Sequence, residues 1–368
     1  MLYFDANATE PLRPEAREAA LRAMETLGNP SSIHQPGRAA RRLLEDSRES
    51  LAAQFKSRPQ DIVFTSGATE ANALAAHALG AGRAILFGAT EHDAVRAAAP
   101  AGIEIPVLPN GQFDPEALAA LLKRHPGALV CLMAANNETG VLHDIAQAAN
   151  LCAAHGALLH VDAVQAASRT RKDWLALGAT SFAISGHKAG GPMGAGALIF
   201  APAHAERTTP LIKGGGQEQN RRGGTPSLPA IAGMAAALAA PYEADRITAH
   251  RDEIEVFCIA LGAMPAGRDS PRLPNTTCLA LPGIRADTQL IALDMAGIAV
   301  SAGSACSSGK LGPSQVLTAM NFCSPADAIR VSLPWNTPEN AVHIFTSAYQ
   351  TMASRALRQK KTVVTEAA

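Results

Sequence analysis

The sequence is short of aromatic residues, of net charge and of long apolar runs. Phe, Trp and Tyr make up 4% of its 368 residues, and 32 Lys and Arg face 32 Asp and Glu. A general binder of nucleic acid or anionic membrane carries a basic excess, and this chain has none. The longest apolar stretch, AIAGMAAALAAPY from Ala230, is too short to span a bilayer. MLYFDANATEPLRPEA at the N-terminus lacks the basic start, apolar core and small-residue cleavage pattern of a signal peptide. Six cysteines (Cys131, Cys152, Cys258, Cys278, Cys306, Cys323) show no CxxC spacing. Neither a disulfide frame nor a zinc site is expected; free thiols in the cytoplasm are.

What is present is a globular composition, 47% hydrophobic and 17% charged, in a chain long enough for more than one domain. REAALRAMETL and GRAARRLLEDSRESLAAQF carry apolar residues at three-to-four spacing and predict amphipathic helices. Seven short apolar runs follow: DIVFTSG, RAILFG, EIPVL, ALVCLMAA, ALLHVDA, SFAISG and GALIF. Helical segments such as GATEANALAAHALG and DIAQAANLCAAHG separate several of them. Strands apolar throughout and joined through helices predict an α/β fold, with a mainly parallel seven-stranded sheet covered by helices. A long helical region from about Pro229 to Leu261 leads into the turn-rich GRDSPRLPNTTCLALPG. Beyond it strands and helices are fewer. The expected organisation is a large domain over residues 14–250 and a smaller α+β domain built from 1–13 and 251–368.

The run SFAISGHKAGGPMGAGALIF raises a chemical question, because one lysine, Lys188, closes an apolar strand and glycines crowd the next positions. Space without a Cβ would let a planar group and neighbouring backbone come close to that lysine. Asp162 closes the preceding strand, where an acid is costly to bury without a cationic partner. Gly67-Ala68-Thr69-Glu70 opens a helix after a strand; it reads as a helix cap or as a phosphate cup. A Schiff-base lysine, an acid for a ring nitrogen and a phosphate cup are what a pyridoxal phosphate enzyme needs. His92 in TEHDAV can stack on a ring or move protons, and Asn136 and Asn137 in AANNETG offer amide donors. Alone, each of these reads as a turn before it reads as a ligand. Cys306 in SAGSACSSGKLGPSQ lies among small polar residues, unlike the other five cysteines, which adjoin apolar neighbours and read as buried inert thiols. Arg330 in AIRVSL is suited to gripping a carboxylate with two parallel hydrogen bonds, or is a plain strand residue.

These motifs, together with GNPSSIHQPGRAAR, GGGQEQNRRGGT and LPNTT, resemble the cysteine desulfurases of the NifS/IscS type. That family belongs to the class V aminotransferases, which are fold type I pyridoxal phosphate enzymes. The resemblance implies that Lys188 holds the cofactor, Asp162 pairs with its ring nitrogen, and Gln165 and Asn137 bond near the ring oxygen. It implies a phosphate site of Ala68, Thr69, Ser185 and His187, completed by Thr225 from the other subunit of a homodimer. His92 would stack on the ring, Arg330 and Asn275 would meet the substrate carboxylate, and Cys306 would accept sulfur. L-Cysteine would be the substrate and a sulfur-acceptor protein, such as an iron–sulfur scaffold, the partner. The chain departs from the family pattern at Gln219-Asn220-Arg221, at SLPWNTPEN after Arg330, and at DANATE near the N-terminus. A selenocysteine lyase or a small-amino-acid aminotransferase of the same fold is the alternative enzyme, and a non-catalytic binding subunit the alternative of another class.

Overall fold

The structure is a computed structural model, described here for residues 1–206, 208–303 and 312–366. The chain opens with a short strand β1 (Leu2–Tyr3) and two helices, α1 (Pro14–Glu25) and α2 (Gln35–Gln54). Alternating elements follow: β2 (Ile62–Thr65), α3 (Ala68–Leu79), β3 (Ile85–Gly88), α4 (Asp93–Ala98), β4 (Ile103–Ile105), α5 (Pro115–Arg124), β5 (Leu129–Met133), α6 (Ile145–Ala154) and β6 (Leu158–Asp162). Next come β7 (Ser181–Ser185), β8 (Gly196–Phe200), a short α7 (Pro202–Ala205), α8 (Leu228–Ala239) and α9 (Ala244–Ala260).

Strands β2 to β8 are the seven apolar runs of the sequence, and they form one sheet in the order β2-β8-β7-β6-β5-β3-β4. Only β8 runs antiparallel to its neighbours. The period-2 alternation of each strand divides its side chains between two helical layers. Phe64, Val130, Val161 and Phe182 face a core shared with α1, α2, α5, α6 and α8. Val63, Cys131, Ala183 and Leu198 face α3 and α4 through Leu74, Ala75 and Val95. The same alternation places His160 and Asp162 on the α3 side of β6.

The single helical region expected over 229–261 is two helices. Pro241 sits in the gap between α8 and α9, where its ring cannot continue a helix. Ile247, Ile254 and Cys258 of α9 join a second core with Phe4, Leu279 and Phe345. That core lies against β9 (Met264–Pro265), β10 (Thr276–Ala280), α10 (Ala286–Met295), β11 (Ile298–Ala299) and β12 (Ser301–Ala302). It is closed by α11 (Gln315–Ala319), β13 (Ala328–Ser332) and α12 (Ala341–Glu366). Strand β1 pairs in parallel with β11, which ties the N-terminus to this part of the chain.

Candidate active site

Segments from one end of the seven-stranded sheet, joined by Asn7 of the N-terminal segment and Arg330 of the smaller sheet, converge on one cavity of about 460 Å³. The first is the β2–α3 turn. A Cβ at Gly196 on β8 would meet the Gly67 backbone at 2.6 Å, so the two chains pack with no side chain between them. The Ala71 N–H makes the first helical bond, to the Gly67 carbonyl at 3.1 Å. Helix geometry leaves the N–H groups of residues 68–70 without an intrahelical acceptor, at the positive end of the helix dipole. Ala68 and Thr69 line the cavity at this point, beside Ser185 and His187 from the end of β7. Burial, then the Lys188 charge, holds the His187 imidazole down to about 4, so it is neutral. A dianionic phosphate fits this donor set.

Asp162, at the end of β6, is buried. Burial pushes its carboxyl above the usual range. The Val164 N–H at 3.0 Å, the Asn72 amide at 2.7 Å and the charges of His92 and Lys188 pull the other way. A cation placed against this carboxylate removes most of the cost of burying it, and a protonated pyridine nitrogen is such a cation.

Lys188 closes the 3-10 turn Gly186–Lys188 after β7. Its Nζ donates to the carbonyl oxygens of Asn7 at 2.7 Å and Ala8 at 2.9 Å. The glycines that follow divide between close approach of backbone and the cavity. A Cβ at Gly190 would strike Pro11 and Arg13, and one at Gly191 would strike Met234. Both make room for protein; Gly194, at φ +92°, is the one of the three that lines the cavity.

Arg330 on β13 is 2% exposed; its guanidinium donates to Asp5 Oδ1 at 2.6 Å and to the Asn137 carbonyl at 3.2 Å. Its Nε has no acceptor among the described residues, a buried donor that a substrate carboxylate would satisfy. His92 caps α4 by accepting the Ala94 N–H on Nδ1 at 3.0 Å.

Ala68, Thr69, His92, Asn137, Asp162, Gln165, Ser185, His187, Lys188 and Arg330 thus share one cavity. Asn275 is fully buried and does not line it. Its amide donates to Asn7 Oδ1 at 3.1 Å and to the Leu333 carbonyl at 3.2 Å, so it stands behind Asn7. Thr225 is exposed and outside the cavity of this chain. Cys306 lies outside the described residues. Of the other cysteines four are buried, whereas Cys323 is exposed on the turn after α11, contrary to its apolar-looking surroundings.

Two residues central to the site carry little signal in the sequence. Asn72 lies one helical turn after Ala68 and so faces the sheet. Asn7 joins four segments: its carbonyl accepts from Lys188 and Gln165, and its amide donates to the Asn137 carbonyl and Thr276 Oγ1.

Comparison with known proteins decides what this cavity belongs to. The model of the family "Aminotransferase class-V" matches residues 2–345. The chain belongs to that family, in its NifS/IscS-type cysteine desulfurase branch. An IscS-like cysteine desulfurase of Mycobacterium tuberculosis is 34% identical over 366 residues, covering 90% of this chain and 91% of the relative. A cysteine desulfurase of Cereibacter sphaeroides is 39% identical over 357 residues, covering 91% and 92%. The X-ray structure of a NifS-like protein from Rickettsia africae superposes with a TM-score of 0.88 at 33% identity, covering 96% of this chain and 99% of that one. Enzymes of this branch depend on pyridoxal phosphate. Three features of this site fit that cofactor: the N–H groups at the start of α3, the buried Asp162 carboxylate and Lys188, all at one cavity.

Proposed function

We propose that the protein is a cysteine desulfurase in which Lys188 holds pyridoxal phosphate and Cys306 carries away the sulfur of L-cysteine. The observation that carries this reading is the convergence of Lys188, Asp162, Arg330 and the start of α3 on one cavity. When bound, the cofactor supplies a carbonyl for the substrate amine and a ring that accepts electrons. Ala68, Thr69, Ser185 and His187 hold the phosphate, with Thr225 of a second subunit completing the site. Asp162 would keep the ring nitrogen protonated, and Asn137 and Gln165 would offer their amides to the ring oxygen. Arg330 turns the substrate carboxylate, so that the Cα–H faces the Lys188 amine. Lys188 would then move the Cα proton, and His92 would stack on the ring. The Cys306 thiolate attacks the substrate sulfur; an S–S bond forms as the Cβ–S bond breaks, and the electron pair of that bond stays on carbon. Carbon takes a proton and leaves as L-alanine, so L-cysteine and a thiol become L-alanine and a persulfide.

In this reading residues 14–250 form the cofactor-holding unit, and 1–13 with 251–368 the unit that carries the cysteine. The assembly is a homodimer, and the persulfide passes to an acceptor protein such as an iron–sulfur scaffold in the cytoplasm. No helix among the described residues is long and apolar enough to cross a membrane. The test is intact mass after incubation with L-cysteine and no reductant. The protein should gain one sulfur atom, about 32 Da, lost again with a thiol. Cys306→Ser should gain none and release no alanine, while still binding the cofactor. Alanine release by Cys306→Ser at the wild-type rate would favour the lyase or aminotransferase reading instead.

A further inference from the structure

Behind Asp162 lies a chain of buried side chains that the reaction as described does not use. Asn72 Nδ2 donates to Asp162 Oδ2 at 2.7 Å. Asn72 Oδ1 stands 2.9 Å from His160 Nε2, and His160 Nδ1 stands 2.8 Å from Ser181 Oγ. Asn72, His160 and Ser181 are all at most 2% exposed. Three elements supply them: α3, β6 and β7.

Hydrogen-bond polarity follows from the chemistry of each group. An ionised carboxylate only accepts, so the Asn72 amide must turn its NH₂ toward Asp162. Its carbonyl oxygen then faces His160 and can only accept, so His160 Nε2 must carry a proton. Burial pushes the His160 imidazole down to about 3, which keeps the ring neutral. Nδ1 is therefore bare and accepts the Ser181 hydroxyl. Every donor in the row points toward Asp162: Ser181 to His160, His160 to Asn72, Asn72 to the carboxylate. With Asp162 protonated at Oδ2 the row is satisfied in reverse: the Asn72 amide turns over, its NH₂ donates to a bare His160 Nε2, and His160 Nδ1–H donates to Ser181 Oγ. The tautomer of His160 therefore reports the state of Asp162, and a carboxylate that faces a protonated ring nitrogen goes with the Nε2–H form.

We propose that Ser181, His160 and Asn72 are positioning residues that hold Asp162 ionised and fixed in orientation toward the cofactor ring. The inference rests on the reading that Asp162 faces the cofactor. It adds that the state of this acid is set from behind, by a neutral histidine held in its Nε2–H form. A buried polar row of this kind is worth keeping only when every member is satisfied, as here.

Two measurements on the holoenzyme test it. In protein labelled with ¹⁵N-histidine, the His160 ring, assigned by comparison with His160→Gln, should be the Nε2–H tautomer and should not titrate between about pH 6 and 8. A ring protonated at Nδ1, or titrating in that range, overturns the proposal. The second measurement uses His160→Leu, which does not touch Asp162. Cofactor affinity by dialysis should fall about tenfold, the scale of a hydrogen bond to a charged acceptor. The midpoint of the cofactor's visible band should move to higher pH, because a less firmly protonated ring lets the nitrogen at Lys188 hold its proton more tightly. His160→Gln, whose amide can donate to Asn72 and accept from Ser181, should restore both. Wild-type affinity and midpoint in His160→Leu, or no restoration by glutamine, overturn the proposal. Should His160→Leu fail to fold, the tautomer of the wild-type ring still decides. Borohydride fixing of the cofactor at Lys188 tests the underlying site separately, so a failed relay and a failed site are told apart.

Discussion

Lys188 Nζ donates to the backbone carbonyl of Asn7, 181 positions away in the chain, at 2.7 Å. A residue of the N-terminal segment thus sets the lysine that closes β7. The Asn7 side chain holds that segment in place through the Asn137 carbonyl, Thr276 and Asn275. Asn7→Ala keeps the carbonyl but removes the three side-chain bonds. It leaves Asn275 Oδ1 bonded to Thr276 and one Asn275 donor stranded in a fully buried position. A loss of about 1–3 kcal/mol in unfolding free energy is expected. Since the Asn137 carbonyl also receives Arg330, KM for L-cysteine should rise by about tenfold or more. Urea unfolding and steady-state kinetics measure the two; an unchanged KM would separate Asn7 from the substrate site.

Lys188 itself makes a simpler prediction. Borohydride should fix the cofactor covalently, and peptide mapping should find the label on Lys188 and not on Lys172 or Lys213. Lys188→Ala should lose activity by a factor of about 10³ or more, because both cofactor attachment and movement of the Cα proton go with it. Label on another lysine would sink the assignment.

The seven strands and their helices were legible because the strands are largely apolar, and the polar residues that close two of them, Asp162 and Ser185, line the cavity. The partners that hold those residues were not legible. Nothing local distinguishes Asn72 from any polar residue on a helix, since its meaning comes from β6 packing beneath α3. The alternation of β6 does put His160 on the same face as Asp162, so HVD carried a signal that a reading of strand ends passes over. Gly190 and Gly191 show where a local reading stops. A glycine reports that something lies close, and whether it is a cofactor or Pro11, Arg13 and Met234 depends on segments distant in sequence. The break between α8 and α9 was written in Pro241, but the alanine-rich flanks read as one helix.

His143 gives a pH prediction. It is buried, its Nδ1 accepts the Phe113 N–H at 3.1 Å, and burial holds it down to about 4 against an ordinary value of 6.5. The folded state therefore binds fewer protons than the unfolded one between those values. Stability from this group is complete above about pH 6.5 and is lost as pH falls toward 4, at up to about 1.4 kcal/mol per pH unit. His143→Asn keeps an acceptor for Phe113 but cannot titrate. Its unfolding free energy should fall less steeply than that of wild type between pH 6.5 and 4.5. Parallel curves across that window would show that His143 is not buried neutral.

The last prediction concerns the glycine-rich segment that carries Thr225. Glu218, Gln219 and Asn220 are three successive non-glycine residues with φ of 47°, 56° and 65°. Such conformations cost about 1 kcal/mol or more each and persist only where the surroundings impose them. Here the imposition is the Glu218 carboxylate, which is buried and bound bidentately by Arg48 of α2 at 2.8 Å on both sides. It also accepts the Phe64 N–H of β2 at 2.9 Å. Arg48→Met would leave that carboxylate buried without its cation, at a cost of about 3–5 kcal/mol. Alternatively Glu218 leaves its site, and the strained turn relaxes. The double variant Arg48→Met with Glu218→Leu should recover part of the loss, since no unpaired charge remains. The strained turn, however, would have lost its anchor in both. Urea unfolding should therefore rank wild type, double and single variant in falling order. Limited proteolysis should cut near residues 213–222 faster in both variants than in wild type. A single variant costing under about 1 kcal/mol would mean that the turn is held by its glycines and not by the buried pair.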